Sequence, residues 1–183
     1  MISGIRVRLR VFEQENVSYR VDRQGGVHFV QDEEFTRNAQ ATIAGLGKER
    51  YANSLDRFES AMKAISKPVP DGKTGIRNVF EAAEGLFRLM FVKAPRLTVD
   101  QAAQLEPLLR KRYSADATAS GAASKMLASF KDWIEACHFY RHEPGKPEIH
   151  QPPIELAIHL ISVGAAFIRL LIELDGPEEN PPA

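Results

Sequence analysis

Residues 154–174, IELAIHLISVGAAFIRLLIEL, form the most apolar run of the sequence and decide the fold class. The run carries charged groups at Glu155, Arg169 and Glu173. Because a lipid-exposed helix rarely tolerates such groups, we interpret the run as a buried helix of a soluble domain and expect no membrane association. It is apolar on all sides, which predicts the central and most buried helix of the fold. Small residues should let neighbouring helices approach it closely, at Ala157, Gly164, Ala165 and Ala166.

Helical periodicity also fills the chain before this run. Residues 48–66 space their apolar side chains alternately four and three apart, which places them in one stripe on a helix. Residues 74–93 and 116–142 repeat this pattern. Between them, Thr98 and Gln101 form a capping box in which the threonine oxygen accepts from the Gln101 amide and the glutamine side chain reaches back. The sequence therefore predicts a bundle of consecutive helices.

The N-terminal residues follow a different period. Residues 5–12 alternate apolar and basic side chains, which is typical of a half-buried strand. Two further alternating runs flank a Gly25-Gly26 pair, which is a hairpin signal. We expect a mainly α fold: a short antiparallel β-meander over 1–31, a bundle of about five helices over 32–175, and a disordered tail over 176–183.

Composition limits the function classes. The 183 residues suffice for one sizeable domain, and 24 Lys and Arg balance 24 Asp and Glu, so the net charge is zero. This excludes a globally basic nucleic-acid-binding domain, although not a local basic groove. The single cysteine, Cys137, cannot form an internal disulfide, and the first residues lack the apolar core of a signal peptide. A cytoplasmic location is expected.

Histidines cluster near the end of the helix predicted over 116–142. His138 and His142 are four residues apart and lie on one side of that helix. A zinc protease motif needs a glutamate directly after the first histidine, but this position is Phe139. We therefore predict no metal site and no cofactor. His138 and His159 are candidate ligand-binding residues, with His159 either a hydrogen-bonded core histidine or a polar group facing Arg141.

Arg141 is the strongest candidate for chemistry. It shares the buried side of its helix, so its guanidinium needs an acceptor. That acceptor is either a structural carboxylate or the phosphate of a substrate. With His142 or His150, Arg141 would form a pair for cleaving RNA without a metal, the histidine transferring a proton and the arginine stabilising charge on phosphorus. A salt bridge between two helices is the alternative explanation of the same arginine and the more frequent one, with the candidate partners Glu81, Glu84 and Glu155.

Two segments resemble a known family. FYRHEPG at 139–145 and IRNVFEAAEGLFRLMF at 76–91 are similar to helical domains of the HEPN superfamily, of the abortive-infection type, over residues 48–175. The resemblance implies a small, often dimeric, helical bundle of bacterial defence systems, in which many members are metal-independent ribonucleases. Their motif is an arginine and a histidine at a helix junction, with four to six residues between them. This sequence departs from it, because His142 directly follows Arg141 and eight residues lie between Arg141 and His150.

Three functions are consistent with these observations. The first is a HEPN-like module that binds a partner protein or nucleic acid, such as RNA, in phage defence. The second is a metal-independent endoribonuclease that uses Arg141 with His142 or His150. The third is a small-molecule-binding domain with a pocket beside the last helix. We also expect a homodimer, since the resemblance implies one and a partner could cover an apolar helix.

Overall fold

The structure of the protein, a computed structural model, describes residues 33–141 and 150–176, together with the backbone of 19–21 and 27–29. Most of this part of the chain is helical, so the predicted mainly α bundle is confirmed. Two helices are short, α4 (Val99–Ala102) and α5 (Glu106–Arg112). Five are long: α1 (Glu33–Gly45), α2 (Ala52–Ile65), α3 (Gly72–Met90), α6 (Ala117–Arg141) and α7 (Ile154–Asp175).

Two strands precede the helices. β1 (Tyr19–Val21) and β2 (Val27–Phe29) pair in antiparallel orientation, with Arg20 opposite His28. Residues 5–12, which carry the first predicted strand, lie outside the described residues, as do residues 177–183 of the predicted tail. The three-stranded meander and the disordered tail therefore stay predictions.

The centre of the bundle is α3, not α7. Helix α3 packs against α2, α6 and α7, and eleven of its nineteen residues are buried. In α7 only eight of twenty-two residues are buried, and Ala166 is exposed. The prediction that α7 is the most buried helix is therefore wrong. Among the described residues, neighbours cover α7 on the sides that face α1, α3 and α6 and leave the remaining side open.

Local capping sets the ends of two helices. The Asp71 carboxylate accepts a hydrogen bond from the Thr74 amide at 3.1 Å and begins α3. The Thr98 hydroxyl accepts from the Gln101 amide at 3.2 Å and begins α4, as the capping box predicts. The reciprocal half of the box is not formed as predicted, because the Gln101 side-chain oxygen accepts from Gln104.

Glycines allow α7 to lie close to α3 and α6. A methyl group added at Gly164 would meet Trp133 at 2.7 Å and Val79 at 2.9 Å, so both neighbours occupy the space that a side chain would need. The Trp133 indole also donates to the Leu160 carbonyl at 2.9 Å. This confirms the expected close approach at Gly164.

The C-terminal end of α7 is held by polar contacts. The Tyr51 hydroxyl donates to Asp175 at 2.6 Å, and Arg50 forms an ion pair with the same carboxylate at 3.1 Å. Arg112, at the end of α5, lies 3.5 Å from the Glu173 carboxylate. These contacts fix the end of α7 to the start of α2 and to α5.

By length and composition alone, α7 would qualify as a membrane-spanning helix, and it is the one such helix among the described residues. Inside the bundle, 44% of its most apolar window is buried. Core helices of soluble proteins meet the same criterion, so length and composition do not distinguish the two environments.

Candidate functional site

Arg141 lies flat against an aromatic ring of the core. Its guanidinium carbon is 3.6 Å from the ring centroid of Phe80, a cation–π contact between the end of α6 and the middle of α3. The side chain is partly buried, and this burial lowers the pKa of Arg141. The carboxylates of Glu84 and Glu81 act in the opposite direction and favour the charged form. They are two of the three carboxylates that the sequence offered as partners.

Both carboxylates have structural partners of their own. Glu81 forms an ion pair with Arg57 of α2 at 3.5 Å. Glu84 accepts a hydrogen bond from the Leu97 amide at 2.8 Å and so ties α3 to the turn before α4. Arg141 is thus attracted by two carboxylates that already connect neighbouring elements. Such an environment is typical of an arginine with a structural role.

The groups next to Arg141 on α6 are also built into the core. His138 is partly buried, and its ring is tilted by 60° against Phe80 with the centroids 5.8 Å apart. Cys137 is fully buried, and desolvation raises the pKa of its thiol to about 12. Trp133 stacks on the same phenylalanine. Phe80 is therefore the point on α3 at which the last two turns of α6 are anchored.

Of the two histidines proposed for catalysis with Arg141, the structure describes only His150. His142 lies outside the described residues. His150 is exposed, and its neighbour Gln151 accepts from the Lys73 amide at the start of α3. Lys73 and the Arg141 contact at Phe80 are separated by seven residues, or about 10 Å along α3.

His159 is not where the sequence placed it. It is exposed on α7, so the expectation of a hydrogen-bonded core histidine is wrong. Ala157 and Ile161, two residues to either side, contact α3 at Gly72 and Gly75. Two residues turn a helix by about 200°, so His159 points to the side of α7 opposite α3 and the Arg141 contact. The apolar neighbours that suggested burial lie on other faces of the same helix.

A concave surface lies beside α7, between α1 and α7. This α1–α7 cleft has a volume of about 570 Å³. The Asn38 amide nitrogen donates to the Ser162 carbonyl at 3.0 Å, and the Asn38 oxygen is buried without a partner among the described residues. The lining combines charged, polar and apolar side chains: Glu34, Phe35, Arg37, Asn38, Ala41, Ser162 and Arg169.

A smaller groove of about 260 Å³ lies between α2 and α3. Ser54, which is buried where the two helices come closest, has a hydroxyl without a hydrogen-bond partner among the described residues. A methyl group added at Gly85 would lie 2.6 Å from that oxygen. The hydroxyl therefore fills the contact between the helices.

An exposed aromatic residue at the end of α6 was missed as a candidate. Phe139 is 81% exposed although it belongs to a regular helix. From the sequence, Phe139 was used only to exclude a zinc protease motif. The sequence had already indicated the buried stripe of α6, which includes Cys137. Phe139 lies on the opposite side of the helix, so it could have been identified as a surface aromatic.

No group of three or more histidine, cysteine, aspartate or glutamate side chains that could hold a metal ion occurs in the part of the chain that the structure describes. No protein-family model, no curated protein and no solved structure matches the chain. The resemblance to HEPN domains consequently stays a prediction.

Proposed function

We propose that the protein is a helical interaction module that binds a partner protein through the C-terminal end of α6. The observation that carries the proposal is the 81% exposure of Phe139. An aromatic side chain in that position leaves a large apolar area in water, and aromatic residues are enriched among the residues that dominate protein interfaces.

The rigidity of this end of α6 supports the proposal. Arg141 on Phe80 and the Trp133 hydrogen bond to Leu160 hold the last turns of the helix on both sides of Phe139. A preorganised aromatic loses little conformational entropy on binding. Arg141 therefore has a positioning role, and Phe139 makes the contact.

A protein partner agrees best with the charge. The net charge is zero, so the long-range attraction that drives association with a polyanion is absent. We further propose that the module acts in the cytoplasm and that α7 stays within the protein, since three helices pack against it.

Photo-crosslinking in intact cells tests the proposal. A photoreactive phenylalanine analogue at position 139 should yield a discrete cross-linked protein, and the same analogue at Val92, which is 88% exposed just beyond the end of α3, should not. Replacement Phe139→Ser should then abolish co-purification of that protein with an unchanged melting temperature. Equal cross-linking from both positions would contradict the proposal.

Ribonuclease activity is the second candidate, favoured by a guanidinium that is only partly buried. The test is cleavage of mixed RNA in EDTA by wild type and by Arg141→Ala and Arg141→Lys, with circular dichroism confirming the fold. Cleavage by the wild type that both variants lose would support it. Intact RNA, or cleavage that survives in Arg141→Ala, would exclude it.

A small-molecule-binding role is the third candidate, and the α1–α7 cleft supports it because a volume of about 570 Å³ suits a drug-sized ligand. Native mass spectrometry of the gently purified protein tests this role. A bound compound that is lost on Ser162→Trp, which would fill the cleft, would support it, and unliganded wild type would contradict it.

A further inference from the structure

The open side of α7 carries a regular stripe. Its members follow one another at steps of three, four, three and four residues, which is the spacing of a coiled-coil seam. Leu156 is 38% exposed, and the others are exposed or partly buried. The stripe, here called the α7 seam, consists of Leu156, His159, Val163, Ala166 and Leu170.

In the described part of the chain, the α7 seam lies between the contacts that α7 makes with α1 and with α6, and its members Val163 and Leu170 pack against the edge of the core. On one flank, Leu160 and Phe167 face α6 through the Trp133 hydrogen bond and the Phe130 ring. On the other flank, α1 is bonded to the Ser162 and Ala165 carbonyls. The seam thus runs for about 21 Å between α1 and α6, on the side of α7 away from α3.

We propose that the α7 seam pairs with the α7 seam of a second copy of this chain, in antiparallel orientation about a two-fold axis beside Ser162. In this register two kinds of layer alternate along the seam. In one, Leu156 packs against Ala166 of the second copy, and in the other, His159 packs against its Val163. The small alanine opposite the leucine allows close packing, and one polar residue within a seam fixes the register.

Charge complementarity identifies the second copy as the occupant. Glu155 and Arg169 lie one residue before the first and last members of the seam, and both are exposed. In an antiparallel pair, such flanking positions face each other across the two-fold axis. Glu155 of each copy then meets Arg169 of the other, twice per dimer, whereas Ser162 meets itself. No like charges meet in this register.

The proposal does not depend on Phe139, which lies on α6. It explains a feature that the described part of one chain leaves unexplained, namely an apolar helix with an open side. The same feature made the sequence predict complete burial of α7. In the dimer that burial is supplied by two chains instead of one.

Charge reversal provides a sharp test by sedimentation equilibrium over the micromolar range. Glu155→Arg and Arg169→Glu should each weaken dimerisation about tenfold, because two attractive pairs become repulsive. The double variant carrying both reversals should dimerise as well as the wild type. A monomeric wild type, or a double variant no stronger than the single ones, would overturn the proposal.

Matched controls separate the seam from general destabilisation. Ala166→Glu should abolish the dimer, and Ala128→Glu, at an exposed alanine of α6, should not; both should retain the melting temperature. Equal effects of the two variants on dimerisation would count against the seam.

The two-fold axis is tested by disulfide formation, because Cys137 is buried and does not compete. Mild oxidation should cross-link Ser162→Cys to itself in the dimer. Glu173→Cys should stay uncross-linked, since the two copies of that position lie about 33 Å apart in this register. The reverse outcome would refute the antiparallel arrangement.

Lipid is the competing occupant of the open side of α7. Co-sedimentation with phosphatidylcholine vesicles should leave the wild type in the supernatant. If the wild type sediments with the vesicles and Ala166→Glu does not, a membrane covers the seam and the second copy is excluded.

Discussion

Replacement of Gly164 by alanine measures how rigidly the helices around α7 are packed. A new methyl group would lie 2.7 Å from Trp133 and 2.9 Å from Val79, whereas carbon atoms pack best at about 3.5–4.0 Å. The indole cannot retreat easily, because its nitrogen donates to the Leu160 carbonyl and its ring stacks on Phe80. We therefore expect a steric cost of about 2–3 kcal/mol, in the upper part of the range for overpacked cores.

Helix propensity acts in the opposite direction, and it can be measured in the same protein. Alanine in place of glycine in a helix gains about 1 kcal/mol. At Gly121 of α6 a new methyl group would meet nothing within 4 Å, so Gly121→Ala isolates this gain. The net expectation is that Gly164→Ala lowers the free energy of unfolding by about 1–2 kcal/mol and Gly121→Ala raises it by about 1 kcal/mol.

Urea unfolding monitored by circular dichroism gives both values, with unchanged slopes showing that only the free energy of unfolding has changed. In melting temperature the changes correspond to about 2–4 °C per kcal/mol for a chain of this size. The cost of Gly164→Ala should shrink in a Trp133→Phe background, since the obstructing ring atom is then absent. If Gly164→Ala stabilises the protein as much as Gly121→Ala, the close approach to Trp133 is not rigid and the reasoning fails.

Three further predictions concern buried polar groups. Tyr51→Phe removes the 2.6 Å hydrogen bond to Asp175 and should cost about 1.5 kcal/mol in urea unfolding. Burial, followed by that hydrogen bond, raises the pKa of Tyr51 to about 12, above the ordinary value of about 10, so its stabilising contribution is complete below pH 10 and is lost between pH 10 and 12. The difference between wild type and Tyr51→Phe should accordingly narrow over that interval, and a constant difference would contradict the assignment. Because burial raises the pKa of Cys137 to about 12, a thiol reagent at pH 8 should label it only as fast as the protein unfolds; a rapid labelling phase would show that the thiol is accessible. Ser54→Ala removes a buried hydroxyl without a partner among the described residues and should raise the free energy of unfolding by about 1 kcal/mol, whereas a loss of stability would reveal a hydrogen bond.

The helices of this protein were predictable where a local signal sets them. The apolar stripe over 48–66 predicted α2, and Thr98 begins α4 through the predicted cap. The carboxylates near Arg141 were also anticipated, at Glu81 and Glu84. For α2 and α4 the spacing along one helix contains the relevant geometry, because side chains three and four residues apart share a face.

The environment of each helix was harder to predict. α3 is the central helix although it carries Lys73 and Asn78, both of which are buried, and its central position depends on the helices on either side of it. His159 was assigned to the core from its apolar neighbours. When a helix is apolar on all sides, however, its sequence does not indicate which side faces the core. Phe139 was overlooked for the related reason that exposure depends on the neighbouring helices.

The order of the elements along the chain has a consequence for biosynthesis. α7 is translated after α1, α3 and α6, and it packs against all three. Until it leaves the ribosome, Val79 and Trp133 have no partner at Gly164, and the nascent chain displays apolar surface to chaperones. A premature stop before residue 154 should therefore yield a product that is degraded rather than a smaller stable domain.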